Sequence, residues 1–539
     1  MQLCKLFSLT RLLILLLIGL ISCPSTGWGY NILITVLGLS SSHNLLMYRF
    51  GELLASAGHN VTMLSGQISP SAKVPKLKKI SHELKYSAFT PDIGAQFDQI
   101  MAKSSWELKP GLTGISQVIS MMTSLPQSCD RLLDNDDVMR RLSASSFDVI
   151  VVHQFDLCSV GLPHLLNVKA SIQFAAGFML DHHIWYSGAP FPTAAVPSAM
   201  NNVIDRMDFG TRLLNTLMWS VSNAYVSLIG LPVYSKRFTE RYGPDYPGLR
   251  TLFHEFQLYF TNSDNLIDFP RPTMPNTIEI GGFVMDTLGP SKLPEEWTAV
   301  VEDNQANKHG FILFSMGSVV DTKNMPREIT MKLFNSFRKL KQKVIWRFEG
   351  ELPEAAGTNV VLTKWMPQTD LLTHKNCRAF ITHGGFNSVL ESAHAGVPLL
   401  VMPMFGDQYG NAMRVVRAGY GLKDDIKTTD QQTLADNLNE LVSNPSYTKN
   451  AKRLSKMFRM KPTNSKDVAV KWVEFLAEFQ TIESFQSSVK YLHLYQYFLI
   501  DVFVVVAAVV ALAMFCCVKC CRCCCRLCCR TTIIKSKSD

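Results

Sequence analysis

The chain has 539 residues, more than one compact domain usually needs, so we expect two large domains. Hydrophobic residues account for 47% of the chain and charged residues for 18%, a balance that excludes a largely disordered protein. Most of the net charge of +9 lies at the two ends of the chain, and the body between them is close to neutral. A nucleic-acid partner is therefore not expected.

The N-terminus has the pattern of a secretory signal. Lys5 and Arg11 precede an apolar run from Leu12 to Ile21, and small residues follow up to Gly29. This pattern predicts a signal peptide over residues 1–29 that is removed near Tyr30. An uncleaved membrane anchor is the alternative.

The next segment alternates strand-like and helix-like patterns. Apolar runs at 32–37 and 61–64 flank a helix-like stretch at 43–57, which predicts a β-α-β unit. Such units form a parallel sheet whose ligand lies at the C-terminal ends of the strands. Further strands are predicted at 147–152 and 277–280. We assign residues 30–285 to a first domain.

The middle of this first domain has few turn signals. Residues 90–260 are rich in Met, Phe and Leu, and the pattern predicts helices and long loops there. These residues could form the wall of a site for an apolar ligand, or an ordinary helical core.

A second β/α series follows a linker predicted at 286–295, where Pro, Gly and Asp are frequent. We assign residues 296–480 to this second domain, and we expect a cleft between the two domains. Helices are predicted to begin near Pro326, Ser388 and Gln408. The predicted strands lie at 311–315, 344–348, 360–362, 379–382 and 399–402.

An apolar run near the C-terminus predicts one transmembrane helix over residues 498–518, after a juxtamembrane segment at 481–497. Basic residues follow this run, so the positive-inside rule places residues 519–539 in the cytosol and residues 30–497 in the lumen. Lys535 and Lys537 resemble a dilysine signal for retrieval to the endoplasmic reticulum, and an ordinary basic tail is the alternative. We therefore expect a single-pass type I protein of that membrane.

Nine of the 14 cysteines lie between residues 516 and 530, in a spacing that suits no standard zinc site. Palmitoylation next to the membrane and unmodified thiols are both open. Only Cys129, Cys158 and Cys377 would face the lumen. Three thiols cannot all pair, so we expect that disulfides do not hold this fold together. Asn60 begins the one N-glycosylation sequon in a lumenal position.

The 44 residues from Trp365 to Gln408 carry the chemistry. A predicted strand ends at His383 and Gly384, and Asn387 and Ser388 follow at the start of a helix. A glycine turn between a strand and a helix N-terminus presents free backbone N–H groups, which favour phosphate. This pattern therefore predicts a phosphate site.

The residues around this turn suit the other parts of a nucleotide sugar. Trp365 offers a flat ring for stacking, and Gln368 has an amide that can both donate and accept hydrogen bonds. This pair suits the face and the edge of uracil. Glu391 could accept two ribose hydroxyls, and Asp407 with Gln408 could hold sugar hydroxyls.

This segment resembles the donor-binding signature of UDP-glycosyltransferases, the family of the animal UDP-glucuronosyltransferases and plant glucosyltransferases. The resemblance extends to residues 314–318 and 346–348, to the signal and to the anchor. It implies an α/β chain of the GT-B fold: two Rossmann-like domains that face a cleft, the first for the acceptor and the second for the UDP-sugar. It also implies inversion at the anomeric carbon, without an obligatory metal or other cofactor.

The resemblance assigns a role to each residue of the donor site. Trp365 and Gln368 would hold uracil, Glu391 the ribose, and Asp407 and Gln408 the sugar. The remaining residues would lie at the diphosphate, namely His383, Gly384, Asn387, Ser388, and a second loop with Ser315, Gly317 and Ser318.

An acceptor hydroxyl needs a base, and histidine is suited to this role near neutral pH. His43 follows the first predicted strand and matches the family's catalytic histidine. An acid should orient its imidazole, and the family places an aspartate after the strand at 147–152. Here His153 occupies that place, and Asp156 is the nearest acid beyond it. We predict Asp156 as the orienting acid, with His153 as the alternative.

These features predict transfer of glucuronic acid or glucose to a hydroxyl of a small lipophilic acceptor. A transferase for a membrane lipid or a hormone, a non-catalytic UDP-sugar-binding protein and an epimerase are the alternatives. Phe386 and Phe405 offer no cation for a glucuronate carboxylate, which favours a neutral sugar, although Arg347, His394 or a residue of the first domain could supply one. Whether the protein forms a homo-oligomer stays open.

Overall fold

The computed structural model describes residues 29–38, 41–68, 78–107, 123–285, 293–318, 320–350 and 359–535. The chain forms two compact units, one that ends at Phe485 and one that begins at Gln486. The predicted signal peptide up to residue 28, most of the predicted linker and the last four residues of the tail lie outside the described residues.

Two parallel sheets form the framework of the first unit. The first has seven strands in the order β3-β2-β1-β4-β5-β6-β7. Its strands are β1 (Asn31–Leu37), β2 (Asn60–Gln67), β3 (His82–Ser87), β4 (Val149–His153), β5 (Ser171–Ala175), β6 (Leu258–Thr261) and β7 (Thr277–Glu279). All five residues of β4 and of β5 are buried, as expected for strands with helices on both faces.

The second sheet has six parallel strands in the order β10-β9-β8-β11-β12-β13. They are β8 (Phe311–Ser315), β9 (Lys343–Arg347), β10 (Val360–Thr363), β11 (Cys377–Thr382), β12 (Leu399–Val401) and β13 (Gly421–Lys423). In both sheets the strand order reverses beside the first strand, which is the place where ligands bind in open α/β sheets. The predicted pair of Rossmann-like halves is thus confirmed.

Helices connect the strands of the first sheet. They are α1 (Ser41–Ser56), α2 (Pro91–Glu107), α3 (Gln127–Leu133), α4 (Asp136–Ala144), α5 (Leu162–Leu165), α6 (Asp181–Ser187), α7 (Phe209–Tyr225), α8 (Leu231–Tyr242) and α9 (Leu249–Phe253). The middle region differs from the prediction of helices and long loops, because the short apolar segments of β5 and β6 pair into the sheet.

Helices of the second half and of the C-terminus follow. They are α10 (Glu295–Val301), α11 (Asn304–His309), α12 (Arg327–Phe337), α13 (Gln368–Thr373), α14 (Phe386–Ala395), α15 (Gln408–Arg417), α16 (Gln431–Ser443), α17 (Pro445–Arg459), α18 (Ser465–Phe479), α19 (Leu494–Tyr497) and α20 (Ile500–Lys535).

Helix α18 packs on the first sheet although it follows the second in sequence. Its residues Ala469, Val473 and Leu476 are fully buried in one apolar cluster with Ile32 and Phe50 of the first half. The predicted second domain, 296–480, therefore differs from the structure at its end, because the last helix returns to the first half.

Buried contacts join the two halves within this unit. The Arg414 side chain on α15 donates from Nε to Asp268 Oδ1 at 2.8 Å, and its guanidinium lies 3.9 Å from the centre of the Phe178 ring. Asn262 Nδ2 donates to Asn387 Oδ1 across the same boundary at 3.1 Å. A buried ion pair is costly to break, so these contacts fix how the halves meet.

One covalent bond of the first half differs from the sequence-based expectation, and the predicted glycosylation site lies in a strand. Cys129 and Cys158 form a disulfide, while Cys377 stays free, so one covalent link ties α3 to the segment after β4. Asn60 begins β2: its amide donates to Asn31 Oδ1 at 2.7 Å, and Thr62 of the sequon is buried. Glycosylation would require Asn60 to leave this bond.

Helix α20 dominates the second unit. Its portion Ile500–Arg526 is long and apolar enough to cross a membrane, and it is the one such helix in the part of the chain that the structure describes. The helix continues beyond the predicted end at residue 518 and through the cysteine-rich segment.

Candidate active site

The site forms where five strands of the second sheet end. Because β8 pairs with β11 in parallel, the loop Ser315–Ser318 after β8 lies beside the turn His383–Gly385 after β11. We call these segments the serine loop and the glycine turn. Each segment contains a glycine that cannot be replaced by a larger residue without a steric clash. A Cβ on Gly317 (φ +72°) would lie 2.3 Å from His383 Cε1, and one on Gly384 (φ +87°) would lie 2.5 Å from Val401 Cγ1.

His383 connects the two segments. Its ring is buried against Gly317, and burial lowers the pKa of His383 to about 4, with the positive charge of Arg347 acting in the same direction. The ring is therefore neutral at pH 7 and has one donor and one acceptor nitrogen. Arg347, at the end of β9, donates from Nη1 to the Gly317 carbonyl at 3.3 Å. Its charge lies beside both segments, where a diphosphate would need it.

Three predicted residues, Gln368 at the start of α13 and Ser388 and Glu391 on α14, form one hydrogen-bonded group. Gln368 donates from Nε2 to Glu391 Oε2 at 2.6 Å and to Ser388 Oγ at 3.2 Å. Burial raises the pKa of Glu391. Trp365 lies just before Gln368, and 64% of its surface is exposed, which is unusual for the largest apolar side chain. An exposed ring beside an ordered amide can take a planar base.

The predicted sugar pair lies at the start of α15, after β12. Gln408 Oε1 accepts hydrogen bonds from the backbone N–H groups of Met404 and Phe405, which orients its amide. Asn411 donates to Asp407 Oδ2 at 2.9 Å and to the Gly384 carbonyl at 2.8 Å. Asn411 therefore links the sugar pair to the glycine turn. The sequence analysis missed this residue, because a polar residue inside a helix carries no signal of its own.

His43 meets His153 at the edge of the first sheet. Because β1 pairs with β4 in parallel, α1 begins close to the end of β4. His43 Nδ1 lies 3.2 Å from His153 Nε2, and the His43 ring stacks on Phe155 with 5.5 Å between ring centres. Burial lowers the pKa of His43 to about 4, so His43 is an unprotonated base at neutral pH.

Asp156 does not take the orienting position predicted for it. Its Oδ2 accepts from Ser159 Oγ at 2.6 Å and its Oδ1 from the Ser159 backbone N–H at 3.1 Å. The backbone turns between His153 and Asp156, with the Asp156 N–H donating to the His153 carbonyl, and this turn directs the carboxylate to the start of a short helix. The residue that contacts His43 is His153, which the sequence analysis gave as the alternative to Asp156.

His153 is buried and has further imidazoles behind it. Burial, and then the charge of His43, lower the pKa of His153 well below its usual value. His182 and His183 of α6 are buried with their ring centres 4.1 Å apart, and His183 in turn interacts electrostatically with His153. The sequence analysis did not single out this pair.

Aromatic packing connects His43 to the donor side. Phe155, which stacks on His43, packs against an apolar cluster that contains Phe178 and Phe386. Phe386 begins α14 directly after the glycine turn. On α1, the positive charge of Arg49 lowers the pKa of Glu391 against the effect of burial. The charge of a residue on the helix that carries the base is therefore felt at the predicted ribose ligand.

His394 lies away from these groups. Its ring stacks on Phe458 at 4.2 Å and contacts Gly282. Of the two candidates that the sequence analysis named, only Arg347 therefore lies at the serine loop.

Comparisons with known proteins agree with this arrangement. The sequence profile of the family described as "UDP-glucoronosyl and UDP-glucosyl transferase" matches residues 32–535. The chain is 34% identical to rat (Rattus norvegicus) 2-hydroxyacylsphingosine 1-beta-galactosyltransferase over 394 residues, 72% of this chain and 70% of the relative. It is 29% identical to human (Homo sapiens) UDP-glucuronosyltransferase 1A5 over 483 residues, 88% of each chain.

Among solved structures, the spinosyn forosaminyltransferase SpnP is similar with a TM-score of 0.53 and 16% identity, over 83% of this chain and 99% of that one. This likeness shows the GT-B fold. A profile match over nearly the whole chain, together with two parallel sheets, makes the chain a member of the family of UDP-glucoronosyl and UDP-glucosyl transferases and a glycosyltransferase enzyme.

Proposed function

We propose that the protein transfers a neutral hexose from a UDP-sugar to a hydroxyl of a small lipophilic acceptor, with inversion and without a metal or other cofactor. The observation that carries this proposal is the group formed by Gln368, Ser388 and Glu391 beside the exposed Trp365. Together they offer a stacking face, an amide and a carboxylate, and the helix α14 that carries Ser388 and Glu391 begins directly after a phosphate-type glycine turn.

UDP would lie along the edge of the second sheet. Uracil stacks on Trp365 with Gln368 at its edge, and the ribose hydroxyls donate to Glu391. The diphosphate takes the glycine turn and the start of α14, with Asn387, Ser388 and the serine loop around it. Arg347 balances part of its charge, because this cation lies beside both segments.

A neutral sugar follows from the charges near Asp407 and Gln408. Arg414 is the nearest buried cation, and it is paired with Asp268. Arg347 is held at the Gly317 carbonyl. A glucuronate carboxylate would lie near Asp407, and the described residues there offer it no cation without a partner of its own, whereas the hydroxyls of glucose or galactose can donate to Asp407.

Transfer would take place between His43 and the glycine turn. His43 Nε2 takes the proton of the acceptor hydroxyl, and the oxygen uses the freed electron pair to attack the anomeric carbon. The bond between that carbon and the UDP oxygen breaks, and UDP leaves with its electrons. Attack opposite to the leaving group inverts the anomeric carbon.

We further propose that the catalytic unit lies in the lumen of the endoplasmic reticulum. The disulfide between Cys129 and Cys158 suits an oxidising compartment, and basic residues follow the apolar part of α20. In intact microsomes, added protease should remove an epitope tag placed after Asp539 and leave the unit up to Phe485 whole. Digestion of that unit would reverse the orientation.

UDP release by membranes that express the full chain tests the activity. UDP-glucose, UDP-galactose and UDP-glucuronic acid are each supplied with simple phenols or with a 2-hydroxyacylsphingosine, because one relative is named for that lipid. His43→Ala should abolish acceptor-dependent release, and the exposed His82→Ala is the matched control. UDP binding without release from any pair would instead indicate a UDP-sugar-binding protein.

A further inference from the structure

We infer that helix α7 docks the unit that ends at Phe485 on a lipid bilayer, with the exposed apolar face of the helix buried among acyl chains just below the headgroups. From the proposed function the inference takes only that α20 crosses a bilayer, and neither the sugar nor the acceptor enters it. It depends on six large apolar side chains that are each between 51% and 73% exposed, namely Phe209, Leu213, Leu214, Leu217, Val221 and Leu228.

Helix α7 has the reverse of the polarity expected for a helix on the surface of a water-soluble protein. Phe209, Leu213, Leu217 and Val221 follow one another at intervals of four residues, so they lie on one face of the helix. This face is exposed to solvent, whereas the two buried side chains of the helix are both asparagine. A contiguous exposed apolar face of this kind marks a surface that binds a partner or a membrane.

One of the two asparagines fixes the orientation of the helix. Asn215 is fully buried, and its Nδ2 donates to the carbonyls of Thr193 and Val196, both at 2.8 Å. Its Oδ1 accepts from the Ser198 N–H at 2.8 Å and from Asn201 Nδ2 at 3.0 Å. A rotation of α7 that buried its leucines would break these four bonds and leave buried polar groups without partners, which is costly. The outward position of the apolar face is therefore built into the fold.

The charges along this segment suit a bilayer surface. No Asp, Glu, Lys, Arg or His occurs from Leu213 to Ser235, a stretch that covers most of α7, the π-helical turn Val226–Gly230 and the start of α8. Arg206 before this stretch and Lys236 after it are exposed. Acyl chains can take the apolar face, and the phosphate groups of the lipids can take the basic residues at its ends.

The helix lies on the bilayer and does not cross it. Leu231, Tyr234 and Phe238 of α8, which continues from α7, are buried in the apolar core of the first half. They hold this helical segment on the protein along its length. A helix with one face on the protein and an apolar face exposed is of the kind that lies in the plane of a membrane interface.

The length of the chain that leads to α20 selects a bilayer as the partner. Residues 486–499 separate the first unit from α20, and even fully extended they span at most about 50 Å. If α20 crosses a bilayer, the first unit therefore stays close to that bilayer at a high effective concentration, so that a weak apolar contact is enough to dock it. A soluble partner would have to be recruited without this advantage.

Photocrosslinking in the full-length protein tests the docking surface. A genetically encoded amino acid with an alkyl diazirine replaces Leu217, and the protein is reconstituted in phosphatidylcholine vesicles, illuminated and analysed by mass spectrometry. The same amino acid in place of Met460, an apolar residue of the second half that is 69% exposed, is the matched control. Position 217 should give at least about tenfold more phosphatidylcholine adducts than position 460.

The probe in place of Val506 of α20 reports on the anchor. Phosphatidylcholine adducts at position 506 but not at position 217 would overturn the inference, and so would equal yields at positions 217 and 460. Adducts between two chains through position 217 would also overturn it, because they would assign the face to a second copy of the protein. The absence of lipid adducts at both 217 and 506 would refute the membrane anchor of the proposed function as well.

A polar substitution of the face gives a second measurement. With the probe at position 217, the double variant Leu213→Gln, Val221→Gln should give at least about fivefold fewer lipid adducts, because it removes apolar surface on both sides of the probe. Met460→Gln is the control and should leave the yield unchanged. Both side chains of the double variant are exposed, so its affinity for UDP should equal that of the wild type and report an intact fold. An unchanged yield of lipid adducts in a double variant that binds UDP would refute the inference.

Discussion

Truncation of Trp365 should weaken UDP binding without weakening the fold. The indole is 64% exposed, so Trp365→Ala removes few contacts within the protein. The unfolding free energy should stay within about 0.5 kcal/mol of the wild-type value, as for most exposed positions. The ring therefore has little structural role to lose, and any large effect must come from the ligand.

The size of the effect follows from the area that uracil would cover. A tryptophan side chain offers about 150–250 Å², and a base stacked on one face of a 64% exposed ring would cover about 80 Å² of it. At about 25 cal/mol per Å², this burial contributes about 2 kcal/mol. Stacking of a base on an aromatic side chain is worth about 1–3 kcal/mol in other proteins. The Kd for UDP should therefore rise about 30-fold in Trp365→Ala.

Calorimetric titration of the detergent-solubilised full-length protein measures this change. Trp365→Phe keeps a flat ring and should raise the Kd for UDP less than about fivefold. Inorganic pyrophosphate occupies the phosphate segments alone, so its affinity should be the same in all three proteins. An unchanged Kd for UDP in Trp365→Ala, or an equal loss for pyrophosphate, would refute the stacking role.

Three further changes test the glycine turn, the buried histidines and the disulfide. Gly317→Ala should abolish UDP binding, because the added Cβ would clash with His383. Gly243→Ala is the control: no atom lies within 4 Å of its added Cβ, so it should cost about 1 kcal/mol of stability and leave UDP binding intact. Burial lowers the pKa of His182 to about 3, so the unfolded chain takes up a proton on this residue below about pH 6.5 while the folded chain does not. Stability is therefore lost as pH falls from 6.5 towards 3. Between pH 7 and pH 5, the Tm of His182→Phe should fall less than the Tm of the wild type. An equal fall in both proteins would contradict this. Cys129→Ser should destabilise the fold by about 2–5 kcal/mol, measured as a lower Tm under oxidising conditions, while the free-thiol control Cys377→Ser should not; a Tm for Cys129→Ser equal to that of the control would show that the disulfide adds nothing.

The donor side could be predicted from sequence because its residues follow strands of one sheet. Strand ends at Ser315, Thr382 and Val401 bring the segments that follow them to one edge. Each of these segments has a pattern that can be recognised in the sequence alone, such as a pair of glycines or the first residues of a helix. Because parallel strands end at the same edge of the sheet, these segments lie side by side, and the sequence analysis needs no long-range information to place them there.

The acceptor side could not be predicted in the same way. Asp156 follows β4 by three residues, and only the turn that begins at His153 decides that its carboxylate meets Ser159 and not His43. Side-chain direction after a strand depends on such turns, which the alternation of apolar residues does not encode. The position of helix α18 could not be predicted either. Its apolar face predicts that the helix is buried, but not which of the two sheets it contacts.

The glycine turn also depends on residues outside its own half. Asn387 is the second residue after the turn and would hold phosphate, yet its Oδ1 accepts from Asn262 of the first half. Phe386 packs edge-on against Phe178, whose other neighbour is the Arg414 guanidinium bound to Asp268. A change at Asp268 would leave Arg414 buried without its partner and disturb Phe178, and through it the start of α14. The residues of the donor motif are therefore close in sequence, but contacts with the other half help to hold them in place, and separation of the two halves should weaken UDP binding at the proposed site.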